Sequence, residues 1–113
     1  MDKNWNKNIY YMIKCFSDID RQKRVWLGLD NNLASSFDED MSLLFDSFCF
    51  DDFILELKKD IYNEKIVKEL TTFKDMLESY ESKASDEQVL KDPQWFTIVE
   101  EAKKIIERWD LSI

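Results

Sequence analysis

Hydrophobic residues recur along most of the chain at intervals of three and four, the spacing that places side chains on one face of an α-helix. Ile9, Ile13 and Phe16 form such a stripe near the start, and Trp95 to Trp109 forms another near the end. The pattern predicts helical segments at residues 6–17, 19–27, 37–48, 51–59 and 64–82, a short turn at 85–91, and a last helix from 94 to about 110. We therefore expect residues 1–113 to form a single all-α domain of about five to six helices, orthogonal rather than a regular bundle.

Polar residues before these stripes predict where helices begin. Asp92-Pro93 is the strongest signal, because an N-cap followed by proline at the first helical position favours a start. Ser36 and Glu39 have capping-box spacing. Weaker start signals are the segment 17–20, in which Ser17 and Asp20 have capping-box spacing, then Asp51, Asn63, and Ser85 with Gln88. Gly28 predicts the end of the second helix, although residues 25–27 could instead begin a short strand.

Composition argues against most enzyme chemistry. The chain has no histidine, one glycine and one proline, so it lacks an imidazole base, a histidine-ligated metal and a glycine-rich phosphate loop. We predict no cofactor, no metal and no enzymatic activity. Cys15 and Cys49 lie in apolar surroundings and are predicted to be buried free thiols. The chain shows no signal-peptide pattern and no membrane-length apolar run, so a reduced, cytoplasmic protein is expected.

The negative charge is concentrated in one segment. The net charge is −8, and residues 25–57 contain no Lys or Arg. The eight carboxylates of that segment are Asp30, Asp38, Glu39, Asp40, Asp46, Asp51, Asp52 and Glu56. Acidic and basic residues balance in the rest of the chain. Such a surface disfavours direct binding of nucleic acid and favours a basic protein as the partner.

A helical projection separates the two sides of the third predicted helix. Phe37, Met41, Leu44, Phe45 and Phe48 fall on the apolar side. Glu39 and Asp46 lie opposite, with Leu43 close to them, and Asp38 and Asp40 lie at the boundary. The candidate partner-binding residues are Glu39, Leu43, Asp46, Asp51 and Asp52. The alternative is a solvated face whose first-turn carboxylates only complement the helix dipole.

The order of short motifs resembles that of small acidic bacterial proteins, some of which are immunity proteins of contact-dependent growth inhibition and related polymorphic toxin systems. The motifs are Asp18 to Gly28 (DIDRQKRVWLG), Ser35 to Glu39 (SSFDE), Leu44 to Asp46 (LFD) and Asp92 to Trp95 (DPQW). The resemblance implies a cytoplasmic protein that binds a cognate toxin domain, commonly a basic nuclease, and blocks its active site or substrate surface.

Two other classes of function remain open. An inhibitor of phage or plasmid type could mimic the charge of DNA towards a nucleic-acid enzyme, and such a protein would have no adjacent toxin gene. A carboxylate-based enzyme or metal-binding protein would need convergent carboxylates in a pocket. Calcium is disfavoured, because the Asp18-x-Asp20 and Asp38-x-Asp40 pairs lack the glycine and the final glutamate of a calcium loop.

Overall fold

The computed structural model describes residues 3–109, and these residues form helices and connectors without a β-strand. The all-α prediction is confirmed. Seven α-helices are described: α1 (Lys3–Phe16), α2 (Ile19–Trp26), α3 (Phe37–Ser42), α4 (Phe50–Leu57), α5 (Glu64–Ser79), the four-residue α6 (Asp86–Val89) and α7 (Pro93–Arg108). A turn of π-helix (Leu43–Ser47) follows α3, and a 3₁₀ turn (Ile61–Asn63) precedes α5. The predicted end of the last helix, near residue 110, lies outside the described residues.

Several predicted helix ends are confirmed by side-chain caps. Asp92 accepts a hydrogen bond from the Gln94 N–H, with Pro93 as the first helical residue. Ser36 and Ser85 cap α3 and α6 in the same way. Gly28 has a φ of 73° just beyond α2, the left-handed conformation that only glycine adopts without cost. Because α2 continues to Trp26, the strand alternative at residues 25–27 is wrong.

Three predicted caps are wrong. The cap of α2 is Asp18, which accepts from the Arg21 N–H, rather than Ser17, whose hydroxyl donates to the Lys14 carbonyl at the end of α1. Asn63 occupies the N-cap position of α5, but its side chain makes no capping hydrogen bond there. Its amide instead donates to the Leu57 carbonyl, at 3.1 Å, and so closes the end of α4. Asp51 is the third, because α4 begins before it.

The predicted helix over residues 37–48 is divided, and this division shapes the acidic segment. After Ser42 the chain widens into the π turn, where the Phe48 N–H donates to the Leu43 carbonyl five residues earlier, at 2.8 Å. Cys49 then adopts a left-handed conformation with a φ of 50°. Helix α4 starts at Phe50, so Asp51 lies inside its first turn.

Aromatic rings fill the centre of the core. Trp95 of α7 is fully buried and lies against Phe16, Trp26, Phe37 and Tyr80, with ring centroids between 5.2 and 5.9 Å apart. Such pairs add to the burial of apolar area. The main cluster of buried residues includes members of all seven α-helices.

The buried Gln22 joins three helices through polar contacts. Its side-chain NH₂ donates to the carbonyls of Cys15 and Phe16 at the end of α1, both at 3.0 Å. Its carbonyl oxygen accepts from the indole N–H of Trp95, at 2.8 Å. These bonds help to satisfy the terminal carbonyls of α1, of which that of Cys15 also accepts from the Asp18 N–H. They also fix α2, and therefore Trp26, relative to α7.

Candidate functional site

The eight carboxylates of residues 25–57 divide into two groups of four. The paired group is offset by basic residues from outside the segment. The pairs are Asp30 with Arg24 (3.1 Å), Asp40 with Arg21 (3.6 Å), Glu56 with Lys59 (2.8 Å) and Asp51 with Lys74 (3.9 Å). The other four, Asp38, Glu39, Asp46 and Asp52, form no ion pair with any residue between 3 and 109. Half of the acidity of this segment is therefore offset within the fold.

Two of the paired carboxylates have a lowered pKa. The backbone N–H of Asn32 donates to Asp30, and together with Arg24 and the backbone of Leu33 it holds the pKa of Asp30 below its usual value. A hydrogen bond from Lys59 does the same for the pKa of Glu56. Both groups have local partners that explain their presence, so neither is a candidate for contact with a partner protein.

Asp40 is a core residue, and its placement at the boundary of the solvated face is wrong. Its exposure is 2%. One carboxylate oxygen accepts from the Trp26 indole N–H at 2.8 Å, and the other accepts from the Ser35 hydroxyl at 2.6 Å. The Arg21 guanidinium lies 3.6 Å away. Asp40 thus satisfies a buried indole and compensates a cation, which is a structural role.

The four unpaired carboxylates are all exposed, and together with Leu43 we call them the acidic surface. Leu43 is 38% exposed on the π turn. A shallow depression of about 370 Å³ runs between α3 and this turn, lined by Asp38, Glu39, Ser42, Leu43 and Ser47. The predicted exposure of Glu39, Leu43 and Asp46 is confirmed. The side chain of Glu39 makes no capping bond within residues 3–109, although its N–H donates to Ser36.

A second depression adjoins the first at Ser47, which lines both. It measures about 360 Å³, and its other lining residues are Trp5, Asn8, Phe48, Cys49 and Asp52. The Trp5 indole N–H donates to the Phe48 carbonyl at 2.6 Å, and its ring packs edge-on against Phe53. These contacts hold α1 against the end of the π turn and form an aromatic wall beside Asp52.

Asp51 is separated from the other candidates by its pairing. Its carboxylate approaches Lys74 of α5, whereas the neighbouring Asp52 lines the second depression. The structure therefore brings Glu39 and Leu43 together at one depression and places Asp52 at the next. Asp46 lies in the π turn that contributes residues to both.

Residues at the depressions were missed from the sequence alone. The helical projection places Asp38 only at the boundary of the polar side, and nothing in the sequence groups Trp5 and Asn8, which lie 42 and 39 residues before Ser47, with the acidic segment. Trp5 and Asn8 are three residues apart on α1 and so share one face, but the first predicted helix begins at residue 6 and leaves Trp5 out. Nothing in the sequence indicates that this face meets the π turn.

Both cysteines were predicted to be buried, and one of them is exposed. Cys15 is buried, as predicted, and desolvation raises the pKa of its thiol above the usual value. Cys49 is exposed, because the left-handed backbone at this position turns its side chain out of the core between the π turn and α4. Its S–H lies 3.5 Å from the Asp46 carbonyl.

Residues 3–109 contain no group of three or more His, Cys, Asp or Glu side chains arranged to hold a metal ion. Across the same residues, no helix has both the length and the apolar character needed to cross a membrane. Searches of protein-family models, curated proteins and solved structures each found no match to this chain.

Proposed function

We propose that this protein binds a basic protein through the acidic surface and neutralises it. The observation that carries the proposal is the division of the carboxylates: Asp38, Glu39, Asp46 and Asp52 stay unpaired and exposed, while the remaining four in the same segment have internal partners. A face that served only for solubility would intersperse both signs of charge.

Electrostatics and shape support the same conclusion. Exposed carboxylates of one sign accelerate the encounter with an oppositely charged protein, mainly through the association rate. Leu43 supplies an apolar group among them and is partly exposed, as an anchor residue at an interface would be. The two adjoining depressions at Ser47 give basic side chains of a partner places to enter.

The kind of partner follows from the resemblance to immunity proteins. We infer that the partner is a bacterial toxin domain, and that the acidic surface covers the basic residues with which a nuclease of this type holds its substrate. Binding there would exclude the phosphate backbone, because both ligands would need the same cations.

Co-expression with a toxin domain encoded next to this protein tests the proposal. The unmodified chain should keep cells alive, and Asp46→Lys with Asp52→Lys should remove protection. A matched double variant, Glu100→Lys with Glu87→Lys, makes the same change in net charge on exposed residues of α7 and α6, outside the segment, and should still protect.

Two outcomes would contradict the proposal. Either the unmodified chain fails to protect, or the Asp46 and Asp52 reversals protect as well as the matched double variant at equal protein levels. Tight binding to a host enzyme that acts on DNA, with no toxin encoded alongside, would favour the alternative function, in which the protein mimics the charge of nucleic acid.

A further inference from the structure

The second depression combines three features that suit one kind of side chain. Trp5 and Phe48 provide aromatic walls, and Asp52 provides a carboxylate with no ion-pair partner in residues 3–109. Asn8, an exposed residue of α1, lines the same space. Aromatic rings next to an anion attract a cation with flat, weakly hydrated faces.

We propose that this depression receives an arginine side chain of the partner protein. Asp52 would accept a bidentate pair of hydrogen bonds from the guanidinium, and the Asn8 carbonyl oxygen would accept from a remaining N–H. The aliphatic stem and the guanidinium plane would lie against the aromatic walls. This inference rests on the proposed function, since it names the side chain through which the acidic surface holds its partner.

The geometry favours arginine over lysine. A planar guanidinium can stack on an aromatic ring while it donates two parallel hydrogen bonds to one carboxylate, whereas an ammonium is compact and strongly hydrated. The site is also held in place before binding. The 2.6 Å bond from the Trp5 indole to the Phe48 carbonyl and the edge-on contact of Trp5 with Phe53 fix the wall, so little ordering is needed when the ligand enters.

The volume limits what can enter. At about 360 Å³ the depression is near the lower end of the usual size of ligand pockets, and it is shallow. One long side chain fits this description better than a whole small molecule. The first depression differs, because its lining residues include Leu43 and no aromatic ring. It therefore lacks a stacking surface and is not assigned to arginine.

The test is a titration of the chain of residues 1–113 with N-acetyl-arginine methylamide, followed by ¹H–¹⁵N NMR. We expect saturable shifts that are largest for the Trp5 indole N–H and the Asn8 side-chain amide. The lysine analogue should bind at least threefold more weakly, and the citrulline analogue, which has the same shape without the charge, should give no saturable shift.

The variants Asp52→Asn and Asp46→Asn each remove one negative charge. Comparing their arginine binding distinguishes binding at the second depression from general electrostatic attraction to the acidic surface. Asp46 lines neither depression. We expect Asp52→Asn to weaken arginine binding at least fivefold and Asp46→Asn to weaken it less than twofold. Equal effects of the two variants, or equal shifts with the arginine and lysine analogues, would overturn the inference.

This test is independent of the toxin assay. If the chain binds the arginine analogue at Trp5 but protects against no toxin, the arginine site is supported and the proposed function is refuted. If the chain protects against the toxin but Trp5 does not respond to the analogue, binding through the acidic surface is supported and the arginine site is refuted.

Discussion

Asp40→Ala should destabilise the protein far more than the removal of any unpaired carboxylate of the acidic surface. The substitution removes the acceptor of the Trp26 indole N–H at 2.8 Å and of the Ser35 hydroxyl at 2.6 Å. It also leaves the mostly buried Arg21 guanidinium without its counter-charge. Asp46→Ala is the matched control, because it makes the same change in net charge at an exposed residue with no ion pair in residues 3–109.

The expected magnitude follows from these contacts. A hydrogen bond to a charged group contributes about 1.5–3 kcal/mol, and breaking a buried pair by removing one partner costs about 3–5 kcal/mol. Since the two contributions overlap, Asp40→Ala should lower the free energy of unfolding by about 3–5 kcal/mol. That is a large part of the roughly 6–17 kcal/mol expected for a domain of this length.

Urea denaturation followed by circular dichroism measures the difference. With a slope of about 2 kcal/mol per molar urea, the midpoint of Asp40→Ala should fall by about 2 M, while Asp46→Ala should stay within about 0.5 kcal/mol of the parent. Equal midpoints for the two variants would refute the assignment of Asp40 to the core and would support its placement on the solvated face.

Three further predictions concern other parts of the fold. Partial burial and a 2.8 Å bond to Asp92 raise the pKa of Tyr80 above its usual value of about 10. Because the unfolded chain loses the phenolic proton at a lower pH than the folded chain, the stability advantage of the parent over Tyr80→Phe should shrink as pH rises above about 10. A constant difference in the free energy of unfolding from pH 8 to 11 would contradict this. A disulfide reagent should label Cys49 in the folded protein and Cys15 only on unfolding, since Cys15 is buried and has a raised pKa; equal rates in native buffer would be inconsistent with the structure. Cys49→Gly should raise the free energy of unfolding by about 0.5–1 kcal/mol, because a φ of 50° strains a residue with a Cβ, and urea denaturation showing a loss would count against that strain.

Local signals in the sequence were sufficient for most of the helices. The Asp92-Pro93 start, the Ser36 cap and the Gly28 stop depend on hydrogen bonds and backbone preferences within a few residues, and each is present in the fold. The apolar stripes of α5 and α7 likewise predicted buried faces. For such features the necessary information lies within one turn of the chain.

The division of the third helix was not predictable in the same way. The projection assumes a constant 100° per residue, which the π turn at Leu43–Ser47 breaks. As a result Phe45 and Phe48, both assigned to the apolar face, are only half buried. The sequence contains no glycine or proline at this point to mark the change of geometry.

The candidate site was predicted in part. The exposed carboxylates were found from the absence of Lys and Arg, but which of them are paired depends on tertiary contacts. Asp40 is satisfied by Trp26, 14 residues earlier, and Asp51 approaches Lys74 across two helices. A buried tryptophan needs an acceptor for its N–H, so Trp26 was the one available signal that a nearby carboxylate would turn inward.

The salt dependence of the association rate with the proposed toxin partner tests the central claim most directly. Stopped-flow measurements between low and physiological salt should show that Asp46→Lys with Asp52→Lys slows association at least tenfold at low salt, and that the difference narrows as salt screens the charges. The double variant at Glu87 and Glu100, equal in net charge, should change the rate less than threefold. Equal rates for the two double variants at every salt concentration would contradict binding through the acidic surface.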